Sequence, residues 1–126
     1  MPLNFFIRIE VANEWFHLLD ERVRTVIDQN RKESQKPVRV AILDTGVDAG
    51  HSLIGKSLNK NIVVWKGFPE KSYPLKDVSG HGTYLACVLM RTAPQTLLHI
   101  GRIFNDEGKF ADSEVTKVIS SFWNFI

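Results

Sequence analysis

At 126 residues, with 44% hydrophobic and 24% charged side chains, the chain has the size and composition of one globular domain, which excludes an intrinsically disordered segment. A net charge of +2 on scattered basic residues excludes the concentrated positive patch of a nucleic-acid binder, and no apolar run approaches the roughly 20 residues that span a membrane. The one cysteine, Cys87, forms no internal disulfide, and Arg8 and Glu10 break the apolar start too early for a secretory leader, so the expectation is an intracellular protein or one whose start lies further upstream.

Val11, Trp15, Leu18, Leu19, Val23, Val26 and Ile27 recur at spacings of three and four, with charged residues largely between them. That pattern predicts an amphipathic helix with one buried stripe, ending near Asn30 ahead of a polar stretch and Pro37. Residues 1–36 are thus expected to be an N-terminal helix and linker, and residues 37–126 the main folded unit. Residues 38–43 are short, β-branched and apolar, the pattern of a buried parallel strand ending at Asp44. Residues 62–65 predict a second strand, and residues 67–76, with Pro69 and Pro74, a loop. Residues 82–91 are apolar enough for a buried helix that starts just after His81 and stops before Pro94. Residues 97–104 predict a third strand, followed by a turn through Asn105, Asp106, Glu107 and Gly108. Asp112 or Ser113 is placed to cap a last helix. Strands alternating with helices point to an α/β fold with a parallel sheet.

Two short motifs stand at the ends of these elements. Asp44-Thr45-Gly46 puts a carboxylate at the carboxyl end of a buried strand, where open α/β sheets place their reactive groups. By itself this motif is ambiguous. Asp-Thr-Gly also occurs in aspartic proteases, Asp-x-Gly occurs in phosphate-binding folds, and a strand-end Asp is often a turn or cap residue. Asp77-Val78-Ser79-Gly80-His81-Gly82-Thr83 puts a His directly ahead of a helix, between two glycines that let other groups approach its ring. A carboxylate beside such a His would fix its tautomer and stabilise its charged form, whereas a lone loop His is more often structural.

The run Val38-Arg39-Val40-Ala41-Ile42-Leu43-Asp44-Thr45-Gly46-Val47-Asp48, continuing to His51, resembles the Asp signature of the subtilisin-like serine proteases, the subtilases. Residues 77–86 resemble their His signature, G-H-G-T-H-V-A-G. The separation of Asp44 and His81, 37 positions, suits that family, as do Ala93-Pro94, the third strand, the acidic turn and the helix that follow. The resemblance begins near Pro37 and implies the N-terminal part of a subtilisin-like catalytic domain: α/β, with a partial parallel sheet and flanking helices. It also implies a serine endopeptidase that cleaves a protein or peptide substrate through an acyl-enzyme, without a cofactor. Asp44 would orient the imidazole. His81 would act as general base towards the serine and as general acid towards the leaving amine. Gly108, Lys109 and Phe110, continuing to Ala111, would lie along the extended substrate.

The family's nucleophile stands in a G-T-S-x-A segment, and none of the 126 residues spells it. Ser113, Ser120 and Ser121 read as a cap and helix surface, and Asn105 and Asn124 stand in the wrong contexts for the family's oxyanion asparagine. Without nucleophile and oxyanion hole, an Asp–His pair has nothing to activate. The expectation is therefore a protease fragment, inactive alone. The alternatives are a non-catalytic remnant or interaction module, and an unrelated α/β phosphate binder. Tyr84 and Cys87 replace the second His and the last Gly of the His signature, and Cys87 reads as a small buried helix residue. Leu53 stands where some relatives carry a calcium-binding acid, so no metal site is carried over, and a zinc site of Asp44, His51 and His81 lacks the usual ligand spacing. Val115, Val118, Ile119, Phe122, Trp123, Phe125 and Ile126 make the last helix more apolar than a solvated terminus, which predicts self-association or a partner on that helix.

Overall fold

The computed structural model describes residues 3–68, 72–110 and 112–123, so that Pro69, Ala111, Asn124, Phe125 and Ile126 lie outside the described residues. The chain divides into two compact units, Met1–Lys36 and Pro37–Ile126. The first is helical: α1 (Leu3–Leu18), a wider π-helical stretch over Leu19–Arg24, and α2 (Thr25–Asn30). The Thr25 hydroxyl donates to the Asp20 carbonyl five residues back, a span that fits the widened turn. Arg24 and Asp20 form an ion pair at 2.6 Å along the same stretch. The helix ends where expected, after Asn30, with Arg31 extended.

The apolar stripe of this helix is not buried. Val11 is 59% exposed and Trp15 53%, and Leu18, Val23, Val26 and Ile27 are exposed with them; Leu19 is half-buried. The periodicity is real, but a single helix offers its stripe nothing to pack against within its own unit.

The second unit is an α/β layer structure, as predicted. It runs β1 (Arg39–Asp44), α3 (Ser52–Ser57), β2 (Ile62–Gly67), α4 (His81–Thr92), β3 (Leu97–Arg102), a 3-10 turn over Asp112–Glu114 and α5 (Val115–Trp123). The three strands form one parallel sheet in the order β1-β3-β2. The last strand in sequence is therefore the central one. Arg39 to Asp44 of β1 stand in register with Leu97 to Arg102 of β3, which brings Asp44 beside Arg102 at the carboxyl edge. The third strand stops at Arg102 rather than running to residue 104, because its chain turns there: the N–H groups of Ile103 and Phe104 both donate to the Asp44 carbonyl.

One face of the sheet packs on α3 and α4. Ile42, Val47, Ile54, Ile62, Ala86, Met90, Leu98 and Ile100 make a continuous buried cluster. Among the described residues, the four largest fully buried side chains, Ile54, Ile62, Leu98 and Ile100, each contribute about 1.5–3 kcal/mol by leaving water. Gly82, Ala86 and Met90 lie along one face of α4 at helical spacing, which buries that face against the sheet, while Cys87 is only half-buried. Short α3 escaped prediction. It has six residues, and only Ile54 and Ser57 are buried, too few to show a period. The opposite face of the sheet carries α5, whose Val118 and Phe122 pack with Phe68, and the Phe122 ring lies against Gly101 of β3. Ile119 and Trp123 on the same helix are exposed. No helix among the described residues is long and apolar enough to cross a membrane.

Central strand β3 buries His99, which is 2% exposed. Burial, followed by the Arg39 charge, pushes its pKa below the ordinary value. The unfolded chain thus takes up this proton before the folded one. Stability from neutral His99 is complete above about pH 6.5 and is lost as pH falls towards the folded value, at no more than about 1.4 kcal/mol per pH unit. Urea titrations at pH 7 and pH 5 are expected to show a larger acid-induced loss in the parent than in His99→Leu. Equal losses would remove His99 as the cause.

Candidate active site

Strand β1 ends at Asp44, whose side chain is 12% exposed. Helix α4 begins at His81, whose side chain is 63% exposed. The structure brings these two predicted residues together: His81 Nδ1 stands 2.9 Å from both Asp44 oxygens. A carboxylate accepts only, so Nδ1 carries the proton and neutral His81 holds its lone pair on Nε2. The ring nitrogen that does not face Asp44 is thus the one free to accept a proton. Asp44 Oδ1 accepts the Thr45 backbone N–H at 2.7 Å, and the Thr45 hydroxyl oxygen lies 3.1 Å from it.

Two features of the local backbone make this approach close. Gly80 adopts φ +79°, a left-handed turn just ahead of α4 that glycine takes without strain. Gly82 lies so near the β1 loop that a Cβ there would stand 2.1 Å from the Gly46 carbonyl oxygen. The glycines beside His81 thus serve a backbone–backbone contact and a tight turn, where the sequence suggested room around the ring.

Asp77, which the sequence placed in the His motif without a role, is the hub between the two loops. Its Oδ1 accepts the Thr45 hydroxyl at 2.8 Å and the Gly80 N–H at 2.9 Å. Its Oδ2 accepts the Thr83 N–H at 2.8 Å and the Thr83 hydroxyl at 2.6 Å. Burial works against its charge, but the Thr83, Thr45 and Gly80 hydrogen bonds outweigh it and hold the carboxyl below the ordinary carboxylate range. The Thr83 hydroxyl in turn accepts the Asp48 N–H at 2.9 Å. A carboxylate a few residues ahead of a helix start was the available signal for the capping role. Nothing local marks its bond to Thr45.

Arg102 secures the loops over this edge. Its side chain is 8% exposed. It donates to the carbonyls of Phe104, Tyr73 and Lys76 at 3.1–3.2 Å and pairs with Asp106. Hydrogen bonds from Arg102 and then Lys76 hold the Asp106 carboxyl below its ordinary value. The loop held in this way covers the Asp motif: Val47 N–H donates to the Pro74 carbonyl and Ala49 N–H to that of Leu75.

The remaining predicted residues lie elsewhere. Gly108, at φ +73°, and Lys109 belong to an exposed turn closed by the Asn105 side chain, and Lys109 pairs with Glu107. Phe110 bridges back to Phe104, with their rings 5.8 Å apart. This turn leaves the same sheet edge as Asp44, through Ile103 and Phe104. His51 is not joined to Asp44 or His81; its Nδ1 lies 3.8 Å from Cys87 Sγ, and burial pushes the Cys87 thiol pKa up. Among the described residues, no group of three or more His, Cys, Asp or Glu side chains is placed to hold a metal ion. Ser120 is bonded to a carbonyl of its own helix, and Ser79 to Thr45, Asp77 and the His81 backbone.

Comparison with known proteins agrees with the geometry. A model of the subtilase family matches residues 35–116. A search of curated proteins found no match. The matched segment spans more than half of the chain and contains both Asp44 and His81, which places this protein in the subtilase family of serine peptidases.

Proposed function

We propose that Asp44 and His81 are the acid and base of a serine endopeptidase, and that the serine comes from polypeptide outside these 126 residues. The observation that carries this reading is the bond from His81 Nδ1 to both Asp44 oxygens at 2.9 Å, with the ring otherwise exposed. In that arrangement Nε2 accepts a proton from an incoming hydroxyl, and Asp44 stabilises the imidazolium that forms. His81 then returns the proton to the leaving amine. The turn at Gly108, Lys109 and Phe110 leaves the same edge, with Gly108 and Lys109 exposed, and is the segment we assign to the extended peptide substrate.

The 126-residue chain alone is expected to show no turnover of a fluorogenic peptide, and His81→Ala is expected to leave that background unchanged. Combined with a polypeptide bearing a subtilase serine segment, it is expected to hydrolyse the peptide, with His81→Ala lowering kcat by about 10⁴-fold or more. Turnover by the chain alone that His81→Ala abolishes would refute an external nucleophile. A reconstituted activity indifferent to His81→Ala would refute the acid–base assignment.

A further inference from the structure

The Thr45 hydroxyl sits between two carboxylates but has one proton. Asp77 Oδ1 lies 2.8 Å from it and Asp44 Oδ1 lies 3.1 Å from it. Its lone pairs face two donors, the Gly82 N–H and the Ser79 hydroxyl, both at 3.1 Å. The Ser79 hydroxyl also lies 3.3 Å from Asp77 Oδ1, but of the contacts open to the Thr45 proton the shortest is to Asp77. Asp77 cannot turn away, because its other oxygen is held by the N–H and hydroxyl of Thr83. Asp44 then keeps the Thr45 N–H and His81 as its donors. A second hydroxyl donor on Asp44 Oδ1 would draw off electron density that the His81 bond uses.

We propose that Asp77 is a positioning residue of the Asp44–His81 pair: it takes the Thr45 hydroxyl proton and so leaves the Asp44 carboxylate undivided for His81. This rests on the reading of Asp44 and His81 as a working acid–base pair. In Asp77→Asn an amide replaces one oxygen, and either orientation sets its NH₂ against groups that donate: the Thr83 N–H and hydroxyl, or the Gly80 N–H. With the NH₂ towards Thr45, the amide donates to the hydroxyl oxygen and the Thr45 proton moves to Asp44.

The experiment is proton NMR of the His81 Nδ1–H in the 126-residue chain, which needs no peptidase activity. The parent should show a strongly downfield, slowly exchanging proton. Asp44→Asn should abolish it; if that proton survives unchanged, the acid–base reading itself fails. Asp77→Asn should move it upfield and raise its solvent exchange roughly tenfold, the weight of about one hydrogen bond. Thr45→Val should leave it as in the parent, and Asp77→Asn should then have little further effect in the Thr45→Val background. A purely helix-capping or long-range charge effect of Asp77 would persist in that background and would overturn the proposal, as would an unchanged proton in Asp77→Asn. The Thr45→Val arm stands alone if Asp77→Asn does not fold: a downfield move there would mean that the Thr45 proton had been on Asp44, and would also overturn it.

Discussion

Gly82→Ala is expected to separate the two halves of the site and to destabilise the second unit by at least about 3 kcal/mol. A Cβ at position 82 would stand 2.1 Å from the Gly46 carbonyl oxygen, and the neighbouring Gly46 atoms are also within 3.3 Å. Both partners are backbone, so no side chain can swing aside. To reach ordinary van der Waals distance, the start of α4 must retreat from the β1 loop by more than about 1 Å. The His81 to Asp44 contact at 2.9 Å would then exceed hydrogen-bonding range. Gly80→Ala is the control. Its Cβ would meet nothing within 4 Å, so only the φ of +79° is strained, at a cost of about 1 kcal/mol. Urea denaturation measures the stability difference, and the downfield His81 proton reports the pair. Equal, small losses for the two variants would mean that the Gly46–Gly82 contact does not set the approach.

Arg102→Ala is expected to cost about 3 kcal/mol, from the loss of charge-assisted bonds to the carbonyls of Phe104, Tyr73 and Lys76. The guanidinium is almost wholly buried, and its donors are spread over two loops that approach from different parts of the chain. Removing it frees the loop that bonds Val47 and Ala49 behind the Asp motif. Against a typical domain stability of about 5–15 kcal/mol, such a loss is large for a small unit. It should lower the urea midpoint by about 1–3 M. Arg102→Lys keeps the charge but not the planar fork, and is expected to recover less than half of the loss. A midpoint unchanged in Arg102→Ala would show that solvent replaces all three bonds without penalty.

Several elements were legible because their signals are local. The β-branched run before Asp44 made β1 readable, and the apolar stretch after His81 made α4 readable. The two motifs also pointed to the family that the family model matches. Helix α3 was hidden by its length, since six residues with two buried positions show no period. Along the N-terminal helix the period was visible, but Val11 and Trp15 are exposed, because periodicity reports which face could be buried and not whether a partner covers it.

By itself, then, the sequence determined an α/β unit, the end of β1 at Asp44, and the two motifs that carry Asp44 and His81. Tertiary structure alone decided that β3 lies between β1 and β2, since strand order depends on where the crossovers return the chain. It also decided that Asp77 would reach Thr45 across 32 positions, and that Gly82 would touch Gly46. The physical reason is range. Propensity and periodicity act over a few neighbouring residues, whereas a shared hydroxyl proton or a backbone contact exists only once distant segments have been packed together.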